Sequence, residues 1–141
     1  MAGFNGRYQH TVDAKGRVFV PVKMRDRLGS SFMAAAVLDH CISLYSTEKW
    51  DSLIDGLDAM PVSEVRDVLR HLSSNAAEVE VDAQGRILLP KHLIAYAFLE
   101  KDVTIIGAGN HAEIWNPGRL SERENAMTDE ALEKKYKELG F

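Results

Sequence analysis

The sequence predicts an α+β protein in which a strand–turn–strand–helix–hairpin unit occurs twice, the copies forming one pseudo-dimeric β core with peripheral helices. Three observations predict it. First, with an offset of 69, Val12-Asp-Ala-Lys-Gly-Arg-Val-Phe-Val-Pro21 falls on Val81-Asp-Ala-Gln-Gly-Arg-Ile-Leu-Leu-Pro90, with six of ten positions identical and three exchanging one apolar residue for another. Second, Ile42-Ser-Leu-Tyr45 matches Ala112-Glu-Ile-Trp115 after one inserted residue, so each copy is a unit of about 45 residues, too small to bury a stable core alone. Third, 141 residues with 45% hydrophobic and 27% charged side chains suffice for one shared core, and exclude disorder and collagen-like repeats.

Each element has a local reason. Tyr8, His10 and Val12 alternate with polar residues, as in a half-buried strand. Asp13-Ala-Lys-Gly-Arg17 supplies turn chemistry, since Gly16 can take a positive φ and an aspartate can bond nearby amides. Val18-Phe19-Val20 is β-rich, and Pro21 opens a short helix whose Val22, Met24 and Leu28 face inward and whose stop is Gly29. A hairpin from Ala35 to Tyr45 turns at Asp39-His40. Two helices follow. Thr47 caps one with Trp50, Leu53, Ile54 and Leu57 as its buried stripe, and Pro61 begins one with Val62, Val65, Leu69 and Leu72 inward. The second copy repeats strand, turn, strand (Ile87 to Leu89), helix from Pro90 and hairpin from Val103 to Trp115. Leu120 then starts a weaker helix, and Thr128 caps a last one carrying Leu132, Tyr136 and Leu139. The expected divisions are a first unit at 7–52, a helical connector at 53–76, a second unit at 77–120 and a C-terminal helix at 121–141.

Charge narrows the function classes. The net charge of −4 argues against coating nucleic acid by bulk charge, but residues 1–30 are locally +4, with Arg7, Lys15, Arg17, Lys23, Arg25 and Arg27 against Asp13 and Asp26. One basic segment on an acidic body can form an anion-binding patch. The competing reading is that these groups merely solvate a turn and a helix. The single cysteine, Cys41, excludes an internal disulfide framework and multi-cysteine metal sites. No apolar run is long enough to span a bilayer, and MAGFNGRYQH does not read as a signal peptide, so a soluble, cytoplasmic protein without membrane partners is expected.

At Asp13-Ala-Lys-Gly-Arg17-Val-Phe-Val-Pro21 and Asp82-Ala-Gln-Gly-Arg86-Ile-Leu-Leu-Pro90 the chain resembles the SpoVT/AbrB swapped-hairpin family. With the Asp-x-x-x-Arg motif twice, and Leu44-Tyr45 and Ile114-Trp115 closing the copies, it is similar to the MraZ regulators within that family. The resemblance covers nearly the whole chain. It implies an AbrB-like, interlocked pseudo-dimeric β-barrel. It also implies a nucleoid-associated transcriptional regulator, read as a repressor, of the bacterial division and cell-wall gene cluster, binding short G-rich repeats in double-stranded promoter DNA as a ring-like homo-oligomer.

The residues give that role a chemistry. An arginine can place two N–H donors on guanine O6 and N7 in the major groove, which suits Arg17. Lys15, on the same turn, suits a phosphate, and Arg7, near the strand entrance, extends the patch. Because Gln84 replaces Lys15 in the second copy, that copy reads as the structural partner, with Asp13, Asp82 and Arg86 as structural or secondary DNA-binding residues. The alternative is that Asp13–Arg17 and Asp82–Arg86 are ion pairs stapling the turns of an antitoxin-like or scaffolding interaction module. Such a module would bury or neutralise Lys15 and Arg17.

Other chemistries find little support. Gly107-Ala-Gly-Asn-His-Ala112 mimics a dinucleotide fingerprint, with Asp129 about 20 residues on, but Glu113-Ile-Trp115 reads as a strand and Asn116-Pro-Gly118 breaks the chain where a long helix is required. His40 and Cys41, as strand neighbours, point to opposite faces and form no catalytic dyad. His10, His71, His92 and His111 lack metal-ligand spacing. The sequence therefore calls for no cofactor, no metal and no enzymatic activity.

Overall fold

The computed structural model describes residues 3–141. The first copy contributes β1 (Arg7–Thr11), β2 (Arg17–Phe19), α1 (Val22–Leu28), β3 (Ser31–Ala36) and β4 (Ile42–Ser46), followed by α2 (Thr47–Asp58) and α3 (Val62–Asn75). The second contributes β5 (Ala77–Glu80), β6 (Arg86–Leu88), α4 (Lys91–Tyr96), β7 (Asp102–Gly107) and β8 (Ala112–Trp115), followed by α5 (Pro117–Asn125) and α6 (Asp129–Glu138).

The strands form an antiparallel six-stranded sheet, β1-β7-β8-β4-β3-β5, and a two-stranded ribbon, β2-β6. Replacing each strand by its repeat counterpart reverses the sheet order, so a pseudo-twofold relates the copies. It passes between Ser43 and Glu113 and between Val18 and Ile87, cross-strand pairs whose members are repeat equivalents. The copies are interlocked. β1 pairs with β7 of the other copy, β5 pairs with β3, and β2 pairs with β6.

This pairing explains why neither unit buries a core by itself. One sheet face, with Phe32, Ala34, Ile42, Leu44, Val103, Ile105 and Ile114, packs on Val18, Val20, Ile87 and Leu89 of the ribbon segments, on Met24 and Leu28 of α1 and on Leu93 and Ala97 of α4. The opposite face is covered by two smaller clusters. Ala35 and Tyr45 meet Trp50, Ile54 and Leu72 from α2 and α3. Cys41, Ile106 and Trp115 meet Leu120 from α5. The sheet is thus a middle layer, with the ribbon on one side and the added helices on the other.

Several details differ from the sequence expectation. The ladders stop short of a closed barrel among the described residues. β1 and β5 are the sheet's edges, and the Val12–Val18 bridge links β1 to the ribbon within one hairpin. The three-residue ribbon strands are extended by the bonds from Val20 N to the Gly85 carbonyl (3.0 Å) and from Leu89 N to the Gly16 carbonyl (2.8 Å), after which Pro21 and Pro90 offer no donor. The first hairpin begins at Ser31 rather than Ala35. Ser46, not Thr47, caps α2 by accepting from Lys49 N, and α5 starts at Pro117 under an Asn116 cap rather than at Leu120. Thr128 caps α6 as its spacing suggests. Val22, Leu53 and Val62 are exposed instead of inward, because α1 and the α2–α3 pair each cover the sheet along one narrow line. The expected divisions after residues 52 and 120 fall inside α2 and α5.

One glycine is dictated by a close approach. Phe4 N donates to the Gly109 carbonyl (2.8 Å) and Gly107 N to the Gly6 carbonyl (2.9 Å), laying the N-terminal segment along the β7–β8 hairpin. A Cβ at Gly107 would lie 2.3 Å from the Phe4 carbonyl carbon. Gly107→Ala is therefore expected to lift this segment and cost about 1–3 kcal/mol, as overpacking does. A lower denaturation midpoint at unchanged slope would record it.

Candidate nucleic-acid interface

Both Asp-x-x-x-Arg turns are built alike. Asp13 Oδ1 accepts from the amides of Lys15 (3.0 Å) and Arg17 (2.9 Å), and its Oδ2 accepts from Arg17 Nε at 2.7 Å. Asp82 Oδ1 accepts from the amides of Gln84 and Arg86, both at 2.9 Å, and its Oδ2 from Arg86 Nε at 3.0 Å. Gly16 (φ 88°) and Gly85 (φ 81°) close the turns in the left-handed region. The local chemistry legible in the motif is thus realised twice, and each aspartate first of all organises backbone.

Antiparallel pairing then places the two turns on one surface. Val18 and Ile87 point into the core, so Arg17, Phe19, Arg86 and Leu88 share the outward face of the ribbon, with Arg17 opposite Leu88 and Phe19 opposite Arg86. Arg86 Nη1 also approaches Asp13 Oδ2 at 3.9 Å, so the Asp13 carboxylate is shared by arginines of both copies. Arg17 spends its Nε on Asp13, and its side chain remains 34% exposed. Lys15 is exposed and lines an open cleft of about 810 Å³ with Lys91, Leu88, Glu78 and Glu80.

The structure does not bring Arg7 to this face. It starts β1, roughly 20 Å of extended chain from Asp13 at about 3.3 Å per residue, and pairs with Glu124 of α5. Sequence reading missed three contributors. Phe19 and Leu88 follow from the strict alternation in Arg17-Val-Phe19 and Arg86-Ile-Leu88, which fixes their face but not their partners. Arg25, with Nε bonded to the Val20 carbonyl (2.8 Å) and its guanidinium 5.1 Å from the Phe19 ring centre, left no signal beyond its charge.

The turn carboxylates supply a pH dependence. The Arg17 amide is the main reason that Asp13 titrates below the usual carboxylate range, and the Arg86 amide does the same for Asp82. Because the folded values are depressed, this stabilisation is complete above the unfolded value of about 4 and is lost as pH falls below it. The gap in melting temperature between the native protein and Asp82→Asn is therefore expected to be widest near neutrality and to close in acid. A constant gap would leave Asp82 without an ionic role.

The remaining chemistry-bearing residues take other places. His40 stacks on Tyr96 (4.7 Å) and bonds its carbonyl, while Cys41 lies in the cluster under Leu120. Burial above all pushes the Cys41 thiol up to about 12. Glu113 accepts from His111 (2.8 Å) and Trp115 (2.9 Å). Gly107 ends β7, and Ala108-Gly-Asn-His111 is the β7–β8 connection, which leads into a strand, not a helix. Among the described residues no group of three His, Cys, Asp or Glu side chains is placed to hold a metal ion, and no helix is long and apolar enough to cross a membrane.

Comparison with known proteins agrees with the duplicated architecture. A family model described as "MraZ protein, putative antitoxin-like" matches twice, over residues 4–69 and 72–139, the first match ending inside α3 and the second running through α6. A protein of Acetivibrio thermocellus named transcriptional regulator MraZ is 46% identical over 143 residues, covering 98% of this chain and 99% of that one. Proteins of the same name from Heliobacterium modesticaldum (48% identical, 84% of each chain) and Clostridium beijerinckii (39% identical, 98% and 99%) align similarly. With both repeats matched and the relatives aligned nearly end to end, the chain belongs to the MraZ family.

Proposed function

We propose that the protein is a sequence-specific DNA-binding transcriptional regulator that presents the β2–β6 ribbon to the major groove. The observation carrying this reading is that ribbon's outward face, where two arginines from the two copies stand on one two-stranded element beside an exposed Lys15. A two-stranded ribbon fits the major groove, and the Nη donors of Arg17 suit a guanine edge while Lys15 suits a phosphate. Arg86, less exposed and shared between Asp82 and Asp13, serves as a structural and secondary contact. In this reading the barrel-like core is the rigid support of the ribbon, and the chain acts as a repressor of the division and cell-wall gene cluster. It does so as a ring-shaped homo-oligomer on short G-rich repeats, in the cytoplasm at the nucleoid. The relatives' shared name, transcriptional regulator, supports regulation as the role.

The competing interaction module has its own support in the words "antitoxin-like" and in the Asp13–Arg17 pair. That pair engages only Nε of Arg17, and Lys15 stays exposed, which favours DNA. A gel shift on DNA upstream of the chain's own gene, with Arg17→Ala as control, decides between them. Retarded DNA that is released by the substitution supports the regulator, and no retardation at low salt overturns it.

A further inference from the structure

The two ends of the β2–β6 ribbon carry repeat-equivalent residues in unequal surroundings. Phe19 and Leu88 hold the same place in the two copies, each opposite the other copy's arginine. Phe19 is covered. The His10 ring and the Arg25 guanidinium both lie 5.1 Å from its ring centre, and a Cβ on Gly85 would meet its ring edge at 2.8 Å. In the second copy the equivalents of His10 and Arg25 are Val79 and Ile94, which pack against the core, and Leu88 stands 58% exposed. Leu88 faces Arg17 across the ribbon and lines the cleft that holds Lys15. One end of the outward face is thus open, both cationic and apolar. At the other end Arg86 is shared by two aspartates and Gln84 stands where Lys15 would be.

We propose that Leu88 reads the 5-methyl group of a thymine close to the guanine that Arg17 contacts, and so is a specificity-determining residue of the interface. This rests on the DNA-reading role proposed above. A leucine has no donor to offer a phosphate or a base edge, so its contribution depends on which base it meets. Among the groups that mark the base pairs in the major groove, the thymine methyl is the apolar one. Docking the ribbon takes Leu88 out of water on any sequence. Against a thymine methyl it gains apolar contact, whereas against the cytosine amino group it strips water from a donor and supplies no acceptor.

Register limits where that thymine lies. Directly opposed side chains on a two-stranded ribbon have Cβ atoms about 4.5–5.5 Å apart. Successive base pairs are about 3.4 Å apart along the duplex, which puts the methyl one or two base pairs from the guanine under Arg17. Because Phe19 is covered, each chain reads one such thymine in spite of its pseudo-twofold symmetry.

The test is fluorescence anisotropy of the full-length chain on DNA from upstream of its own gene, with each thymine replaced in turn by deoxyuridine. That change removes the methyl and keeps the pairing with adenine. The wild type is expected to bind about fourfold more weakly when one thymine within two base pairs of a guanine loses its methyl, the worth of about one buried carbon group. Leu88→Ala is expected to bind the thymine and deoxyuridine duplexes equally, and Leu88→Met, apolar and of similar reach, to keep the preference. A merely structural role for Leu88 weakens both duplexes alike, leaves their ratio at the wild-type value and overturns the proposal. So does a wild type that is indifferent to every methyl while preferring the matched duplex over a scrambled one, a result that leaves base reading by Arg17 standing. A wild type without that preference overturns the DNA-reading role and this inference with it. If Leu88→Ala melts markedly lower than the wild type, Leu88→Gln, which keeps the length of the side chain but not its apolar tip, decides by the same ratio.

Discussion

Arg17→Ala and Arg17→Lys are both expected to abolish specific DNA binding, and to nearly the same degree. Alanine removes the guanidinium; lysine keeps a charge but loses the planar fork and the Nε bond that holds the side chain to Asp13 at 2.7 Å. One bidentate base contact is worth about 1–3 kcal/mol, or roughly 5- to 150-fold per chain, and an oligomer presenting several ribbons multiplies that loss. Lys15→Ala is expected to weaken specific and random DNA alike and to reduce the salt slope by about 1, as a phosphate contact does. Arg86→Ala should lower the melting temperature while affecting DNA less than Arg17→Ala. Fluorescence anisotropy on matched and scrambled duplexes across a salt series measures the affinities of all four, and a thermal melt reads the stability of Arg86→Ala. Full retention of sequence preference in Arg17→Lys removes Arg17 from base reading, and equal losses for Arg86 and Arg17 overturn the division of labour between the copies.

Residues 1–75 expressed alone are expected not to form a stable folded monomer. Such a chain keeps the β3–β4 hairpin but lacks β7, the partner of all five residues of β1, and β6, the partner of the whole of β2. Its Phe32, Ile42 and Leu44, fully buried in the complete protein, lose the second copy's half of the core. At about 1.5–3 kcal/mol for each exposed large apolar side chain, these three alone cost roughly 5–9 kcal/mol, as much as the roughly 5–15 kcal/mol that stabilises a whole domain. Circular dichroism and size-exclusion chromatography are expected to show an unfolded chain, or a dimer in which a second identical copy fills the pseudo-twofold position. A folded monomer would refute the interlock.

Much of this was legible in the residues themselves. The repeat of Asp13-Ala-Lys-Gly-Arg17 at Asp82 determined that the fold is a duplication, and a carboxylate four residues before an arginine, with glycine between them, suffices to specify the turn locally. Alternation fixed Val18 and Ile87 inward and Arg17 and Arg86 outward, because successive strand residues point to opposite faces. Thr128 announced α6, since a cap acts within three residues of itself. Partner choice was decided only by the tertiary structure. β3 and β7 offer β1 equivalent edges and similar apolar faces, so no residue in β1 states that it crosses to β7; the exchange wins because it buries both copies' inner faces in one core. The same crossing brings Arg86 to Asp13 and pairs Arg7 with Glu124 across 117 positions of sequence. Such contacts depend on where two distant backbones run, and a side chain's identity carries its charge and size but not the position of its neighbour.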